Sequence, residues 1–222
     1  MTNGVPTRTA PLWRRPAVIV AVATVALVAA VLLDTTFIDN SSIAEPADTA
    51  AEYVELNFDT VVIATIIDNA QPLTELVPEL IADPDKVGEE FGKREDEGKP
   101  FSFSTSVTGT IVAGGFGEVG LEVDGLPDGI TVGIAIPPLG SEPTIRIAGT
   151  ELTFGDFVNQ TEYQRVAIEL NTRLASTVLT ENDLTTMIGQ EVTIVGAFTW
   201  VSNTGGVIDH VTIVPVQIEA GA

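Results

Sequence analysis

Phe101-Ser-Phe-Ser-Thr-Ser-Val-Thr-Gly-Thr-Ile-Val112 places Phe101, Phe103, Thr105, Val107, Gly109 and Ile111 on one side and hydroxyl residues on the other. A period of two with one apolar face is the pattern of a half-buried strand. Downstream, Gly114-Gly115 turns the chain, residues 119–123 begin a second strand, and Leu126-Pro-Asp-Gly129 makes a turn before a third over 130–136, which Pro137-Pro138 ends. Residues 144–147 and 151–154 read as further strand pieces that complete the meander around Gly149. The period then becomes helical: Tyr163, Val166, Ala167, Leu170, Leu174 and Val178 share one stripe, with Asp156 as the expected N-cap. A short helix over 184–188 ends at Gly189, and residues 191–201 and 207–218 form a hairpin around Ser202-Asn-Thr-Gly-Gly206. This order predicts an α+β fold: over 99–219, an OB-like antiparallel β-barrel with one long helix between the third and fourth strands, plugging one end. Several other α+β folds share that order of elements.

Upstream, residues 53–98 read as short helices. Phe58, Val61, Val62, Thr65 and Ile66 recur at helical spacing. Pro72 and Pro78 interrupt the run, residues 73–81 give a second helix, and Asp83-Pro84-Asp85 reads as the cap and first turn of a third through Phe91. The mixed charges and glycines of 88–98 read as a solvated connector. Residues 39–52, small and acidic, suit a linker.

The charges are unevenly distributed. The 222 residues hold 31 acidic and 10 basic side chains. Arg8, Arg14 and Arg15 precede Pro16, whereas every acid lies beyond Leu33, so the later part carries seven bases against 31 acids, a net −24. Between these zones, residues 17–33 are uncharged and apolar, about 26 Å if helical and at the lower limit for a span. By the positive-inside rule this predicts a cytoplasmic tail over 1–15, a single-pass transmembrane signal anchor over 16–38 at the plasma membrane, and an extracytoplasmic domain over 53–219. A cleaved signal peptide is the rival, with Ser42-Ile-Ala44 as its weak cleavage site, since such leaders carry apolar regions of about 7–15 residues.

Composition excludes several classes. A strongly acidic body is unsuited to nucleic acid. With no Cys and one His, thiolate chemistry and conventional metal sites fall away, and no cofactor is expected. The glycines at 114, 115, 117 and 120 lack the following Lys-Ser/Thr of a phosphate loop.

The stretch Phe154-Gly-Asp-Phe-Val-Asn-Gln-Thr-Glu-Tyr163, continuing to Leu170-Asn171, resembles an uncharacterised bacterial family of predicted periplasmic lipoproteins, domain of unknown function 2291. Gly189-Gln-Glu-Val192, Gly196-Ala-Phe198 and Thr212-Ile-Val-Pro-Val216 extend the resemblance over roughly 53–218. It implies a surface-anchored accessory protein, often encoded beside sugar ABC transporters, with no established activity. Lacking Cys, this sequence has no lipobox thiol, and the apolar helix would take the place of the lipid.

The candidate ligand or partner site comprises Asn159, Gln160 and Tyr163 at the start of the long helix, with Asn171 and Arg146. Helix N-termini expose backbone N–H groups, and planar amides suit sugars or peptide strands. Each residue also has a structural reading: Asn159 and Gln160 as ties to neighbouring strands, Tyr163 as packing, Asn171 as a buried hydrogen-bonder, Arg146 as one half of an internal ion pair. Asp209-His210 is a conceivable acid–base pair without an accompanying nucleophile. Glu118, Glu122 and Asp124 are the carboxylates a hydrolase would draw on. The expectation is therefore a membrane-anchored accessory or binding module and not an enzyme, with transporter components or envelope carbohydrate as partners. The alternative is a cell-envelope hydrolase using carboxylates.

Overall fold

The computed structural model describes residues 49–157, 159–202 and 205–221. The stretches expected to form a cytoplasmic tail (1–15) and a signal anchor (16–38), and residues 39–48 of the expected linker, lie outside the described residues. Among the described residues no helix is long and apolar enough to cross a membrane.

The helical segment starts earlier than Tyr53. Helix α1 spans Ala50–Asn57, capped by the Thr49 hydroxyl, and continues through a π-helical stretch, Phe58–Ile63, into α2, Ala64–Asp68. Phe58, Val61, Val62 and Ile66 are buried as the spacing required, although the π stretch interrupts the regular period. After the two-residue strand β1, Gln71–Pro72, helix α3 covers Leu73–Ala82 with Pro78 inside it. Asp83 caps α4, Pro84–Phe91, with Pro84 in the first turn as its sequence predicted. A short strand β2, Gly92–Lys93, leads to the barrel.

The barrel is closed and five-stranded. Its strands are β3, Ser102–Val112; β4, Glu118–Glu122; β5, Thr131–Ala135; β6, Glu191–Thr199; and β7, His210–Ala220. The meander β3–β4–β5 is antiparallel, β5 pairs β7 in parallel, and β7 pairs β6. Closure comes from β3 against β6, in register from Ser102↔Thr199 to Thr110↔Glu191. Closing the sheet removes the edges an open sheet would leave.

Between β5 and β6 lie α5, Thr144–Gly149; a 3₁₀ turn, Phe154–Asp156; the long helix α6, Gln160–Ser176; α7, Val178–Glu181; and a 3₁₀ turn at Leu184–Thr186. The strand reading of 144–147 is corrected here, because Ile147 and Thr150 donate helical hydrogen bonds to Pro143 and Arg146. Thr144-Ile-Arg-Ile147 alternates polar and apolar residues as a strand would, but four residues are too few to separate that period from a helical one. Residues 151–153 have no regular structure, and 154–156 form the 3₁₀ turn.

Two apolar cores explain where the helices go. The first fills the barrel, with Phe103, Ile111, Leu121, Ile134, Ile194, Phe198 and Ile213 inside it; Leu73, Leu76, Val77 and Leu80 of α3 join it together with Leu179 and Leu184. The second lies on the outer face of β5, β6 and β7, where Val166, Leu170 and Leu174 of α6 meet Ala135, Ala197, Val214 and Val216, together with Tyr53, Val62 and Ile145. The long helix therefore packs outside the barrel and does not plug it, and the short helices supply the plug. Small residues such as Ala135 and Ala197 let the helical layer sit close, and Gly149 serves the same end: a Cβ there would stand 2.6 Å from a Val62 methyl.

Candidate functional site

Helix α5, the first turn of α6 and the segment from β2 to β3 enclose a concavity of about 920 Å³. Arg146 of α5 lies at its wall with a relative exposure of only 4%. One guanidinium nitrogen, Nη1, donates to the Tyr163 carbonyl at 2.9 Å, and Nη2 donates to Glu95 Oε1 at 2.5 Å. The guanidinium carbon stands 4.0 Å from the centroid of the Tyr163 ring. Nε is buried with no hydrogen-bond partner among the described residues. The internal ion pair expected of Arg146 is thus present, with a carboxylate from the connector.

Tyr163 is held in the same cluster. Burial above all raises the pKa of its phenol; the Arg146 cation pulls it down in part, and the charge of Glu95 and a hydrogen bond to that carboxylate raise it again. A phenol donating to a carboxylate is favoured in its neutral form.

The residues that sequence reading missed are those of the connector. Lys93, Arg94, Glu95, Asp96 and Lys99 all line the concavity. Lys93 pairs with Glu151, and Arg94 pairs with Glu89 at 2.6 Å while lying 4.5 Å from the Phe101 ring centroid. Four of the seven basic residues beyond Leu33 therefore converge on one groove of an acidic domain. Their scarcity was the available signal: in a body of net −24, Lys93, Arg94 and Lys99 so close together stand out.

The remaining candidates separate. Gln160 lines the groove beside Tyr163. Asn159 is the N-cap of α6, its Oδ1 accepting from the N–H groups of Thr161 at 3.0 Å and Glu162 at 3.1 Å. This corrects the assignment of the cap to Asp156, which instead closes a capping box with Thr153 around the 3₁₀ turn. Asn171 is buried away from the groove lining, donating to the carbonyls of Gly140 at 3.1 Å and Glu142 at 2.9 Å, so its side chain fixes that loop to α6.

His210 does not pair with Asp209. Its Nε2 meets Glu118 Oε2 at 3.0 Å and its Nδ1 meets the Thr131 hydroxyl at 2.8 Å, while Thr212 donates to the same Glu118 oxygen at 3.0 Å. Glu118 is thereby spent on ties across β4, β5 and β7. Among the described residues no group of three or more His, Asp or Glu side chains is placed to hold a metal ion.

The family model described as predicted periplasmic lipoprotein (DUF2291) matches residues 18–219. The chain belongs to this family. The match takes in the helical layer, the barrel and both walls of the Arg146 groove, so the resemblance carried by residues 154–171 extends to the whole described domain. No cysteine occurs among the 222 residues. The structure is similar to the crystal structure of an OB-fold protein from Thermotoga maritima, with a TM-score of 0.59 and 16% identity, over 79% of this chain and 99% of that one. That likeness shows the fold: an OB-type barrel. No curated protein matches the chain.

Proposed function

We propose that this member of the predicted periplasmic lipoprotein family is an extracytoplasmic binding or accessory module without catalysis of its own. The anchor expected over residues 16–38 holds it at the membrane as a single pass, and it serves a solute-uptake system of the sugar ABC type. The observation that carries this reading is the groove at Arg146. Arg146, a buried cation whose Nε is unmet among the described residues, and three more of the seven basic residues beyond Leu33 line a concavity large enough for a small ligand or the tip of a partner. Glu118, one of the carboxylates a hydrolase would draw on, is bound to His210 and Thr212, which favours binding over hydrolysis.

The test is capture of the solute-binding and permease components of a sugar ABC importer by the full chain in detergent. Gln160→Ala with Lys99→Ala, two lining residues outside both cores, should abolish capture while leaving the thermal transition unchanged. Failure of the unaltered chain to retain any transporter component refutes the accessory role.

A further inference from the structure

The reading of the Arg146 groove as a binding site leaves its ligand class open. We propose that the groove takes the carboxylate of an acidic sugar, which replaces Glu95 on the Arg146 guanidinium.

Arg146 is held by an incomplete set of partners. Guanidinium presents a planar fork that matches both oxygens of a carboxylate at once. Glu95 engages Nη2 through one oxygen, Nη1 is taken by the Tyr163 carbonyl, and Nε is buried without an acceptor. A buried donor left unmet is costly, so an incoming carboxylate that bridges Nη2 and Nε gains a bond that Glu95 does not make.

Glu95 can leave when an incoming carboxylate takes over both the Arg146 bond and the hydrogen bond from the Tyr163 phenol. It sits between β2 and β3 where the chain has no helix or strand, and its side chain is 31% exposed, against 4% for Arg146. The cation is fixed by α5 and α6, whereas its counter-charge comes from the exposed connector. Exchange of one carboxylate for another also leaves the charge of the buried pair unchanged, which avoids an uncompensated buried cation.

A sugar, and not a bare anion, fits what surrounds the fork. Gln160 and Gln164, near the start of α6, and Lys99 line the same groove. None of the three has a side-chain partner among the described residues. Planar amides pair with vicinal hydroxyls, offering both donor and acceptor. The net charge of the body also selects for a small ligand of one negative charge, because a polyanion would be repelled by the acids outside the groove.

The experiment is calorimetric titration of the full chain in detergent with D-glucuronate, D-glucose and acetate. Glucuronate should bind at least about ten-fold more tightly than either of the others, since only it carries both the carboxylate and the hydroxyls. Glucose binding as tightly as glucuronate overturns the carboxylate, acetate doing so overturns the sugar, and no binding of any of them overturns the proposal as a whole. Transporter capture that persists after such a failure leaves the accessory role standing. Glu95→Gln removes the internal competitor. If Arg146 is free of Glu95 in about a tenth of molecules, that variant binds glucuronate about ten-fold more tightly. Unchanged or weaker binding by Glu95→Gln refutes the exchange.

Discussion

The Glu118 carboxylate lies over Gly133: a Cβ built on that glycine would stand 2.1 Å from Glu118 Oε2. Glycine at this point of β5 is what lets a side chain of β4 cross to His210 and Thr212 of β7. Gly133→Ala should therefore cost stability through hydrogen bonds and not through backbone strain. The carboxylate can swing aside, losing its two ties, for about 1–2 kcal/mol. In a Glu118→Ala background the same substitution should cost almost nothing. Denaturant unfolding of the four proteins in this cycle measures the coupling, and additive costs would refute it.

The Arg146–Glu95 pair predicts an asymmetric stability pattern. Removing Glu95 leaves a buried guanidinium short of a counter-charge, so Glu95→Gln should lower stability by about 1–3 kcal/mol, less than for a pair buried on both sides. Arg146→Met combined with Glu95→Gln removes both charges and should be more stable than Glu95→Gln alone. Thermal unfolding of the three variants at one pH and salt concentration checks the order.

Capping of α6 separates Asn159 from Asp156. Asn159→Ala removes the acceptor for the Thr161 and Glu162 N–H groups and should cost about 1 kcal/mol. Asp156→Ala loosens only the 3₁₀ turn and should cost less. Amide hydrogen exchange at Thr161 and Glu162 should rise in the first variant and stay unchanged in the second.

Tyr53 gives a prediction at alkaline pH. Its hydroxyl is buried without a hydrogen-bond partner among the described residues, its ring packs edge-on against Phe157 at 6.1 Å, and burial first, with the charge of Asp156 second, pushes its pKa from 10.0 to about 12. A group whose folded pKa is raised gives stability that is full below the unfolded value and lost as pH climbs through the folded one. The loss from Tyr53 should thus fall between pH 10.0 and about 12. Tyr53→Phe should abolish that part of the alkaline destabilisation and be neutral or stabilising at neutral pH, because no hydrogen bond is given up. Stability curves of the two proteins from pH 8 to 12 decide it.

Much of the architecture was legible in the chain because strands and helices bury faces of different period. The strand over 101–112, the meander after it, the helix through Val166, Leu170 and Leu174, and the closing hairpin could all be placed from alternation, glycine turns and one apolar stripe. Their order then pointed to an OB-type barrel. Residues 144–147 were misread because Thr-Ile-Arg-Ile alternates as a strand would, and four residues are too few to tell a period of two from one of 3.6; its helix is set by packing of Ile145 and Ala148 against the second core. The place of α6 was likewise hidden. A stripe specifies that a helix is buried on one side, but whether it plugs a barrel or lies along its outer face depends on the room left by Ala135 and Ala197.

The candidate site divides along the same line. Arg146, Gln160 and Tyr163 were nameable one by one from their chemistry, and the linear charge distribution showed that positive charge is scarce beyond Leu33. Only the tertiary structure decided that Lys93, Arg94, Glu95 and Lys99 line one groove with Arg146, since Glu95 and Arg146, about fifty residues apart in sequence, meet only once the chain has folded. It also decided that Asn159 and Asn171 serve the backbone. A side-chain amide has the same donors and acceptors whether it caps a helix, ties a loop or meets a ligand, and what distinguishes these roles is which unmet group lies within about 3 Å of it.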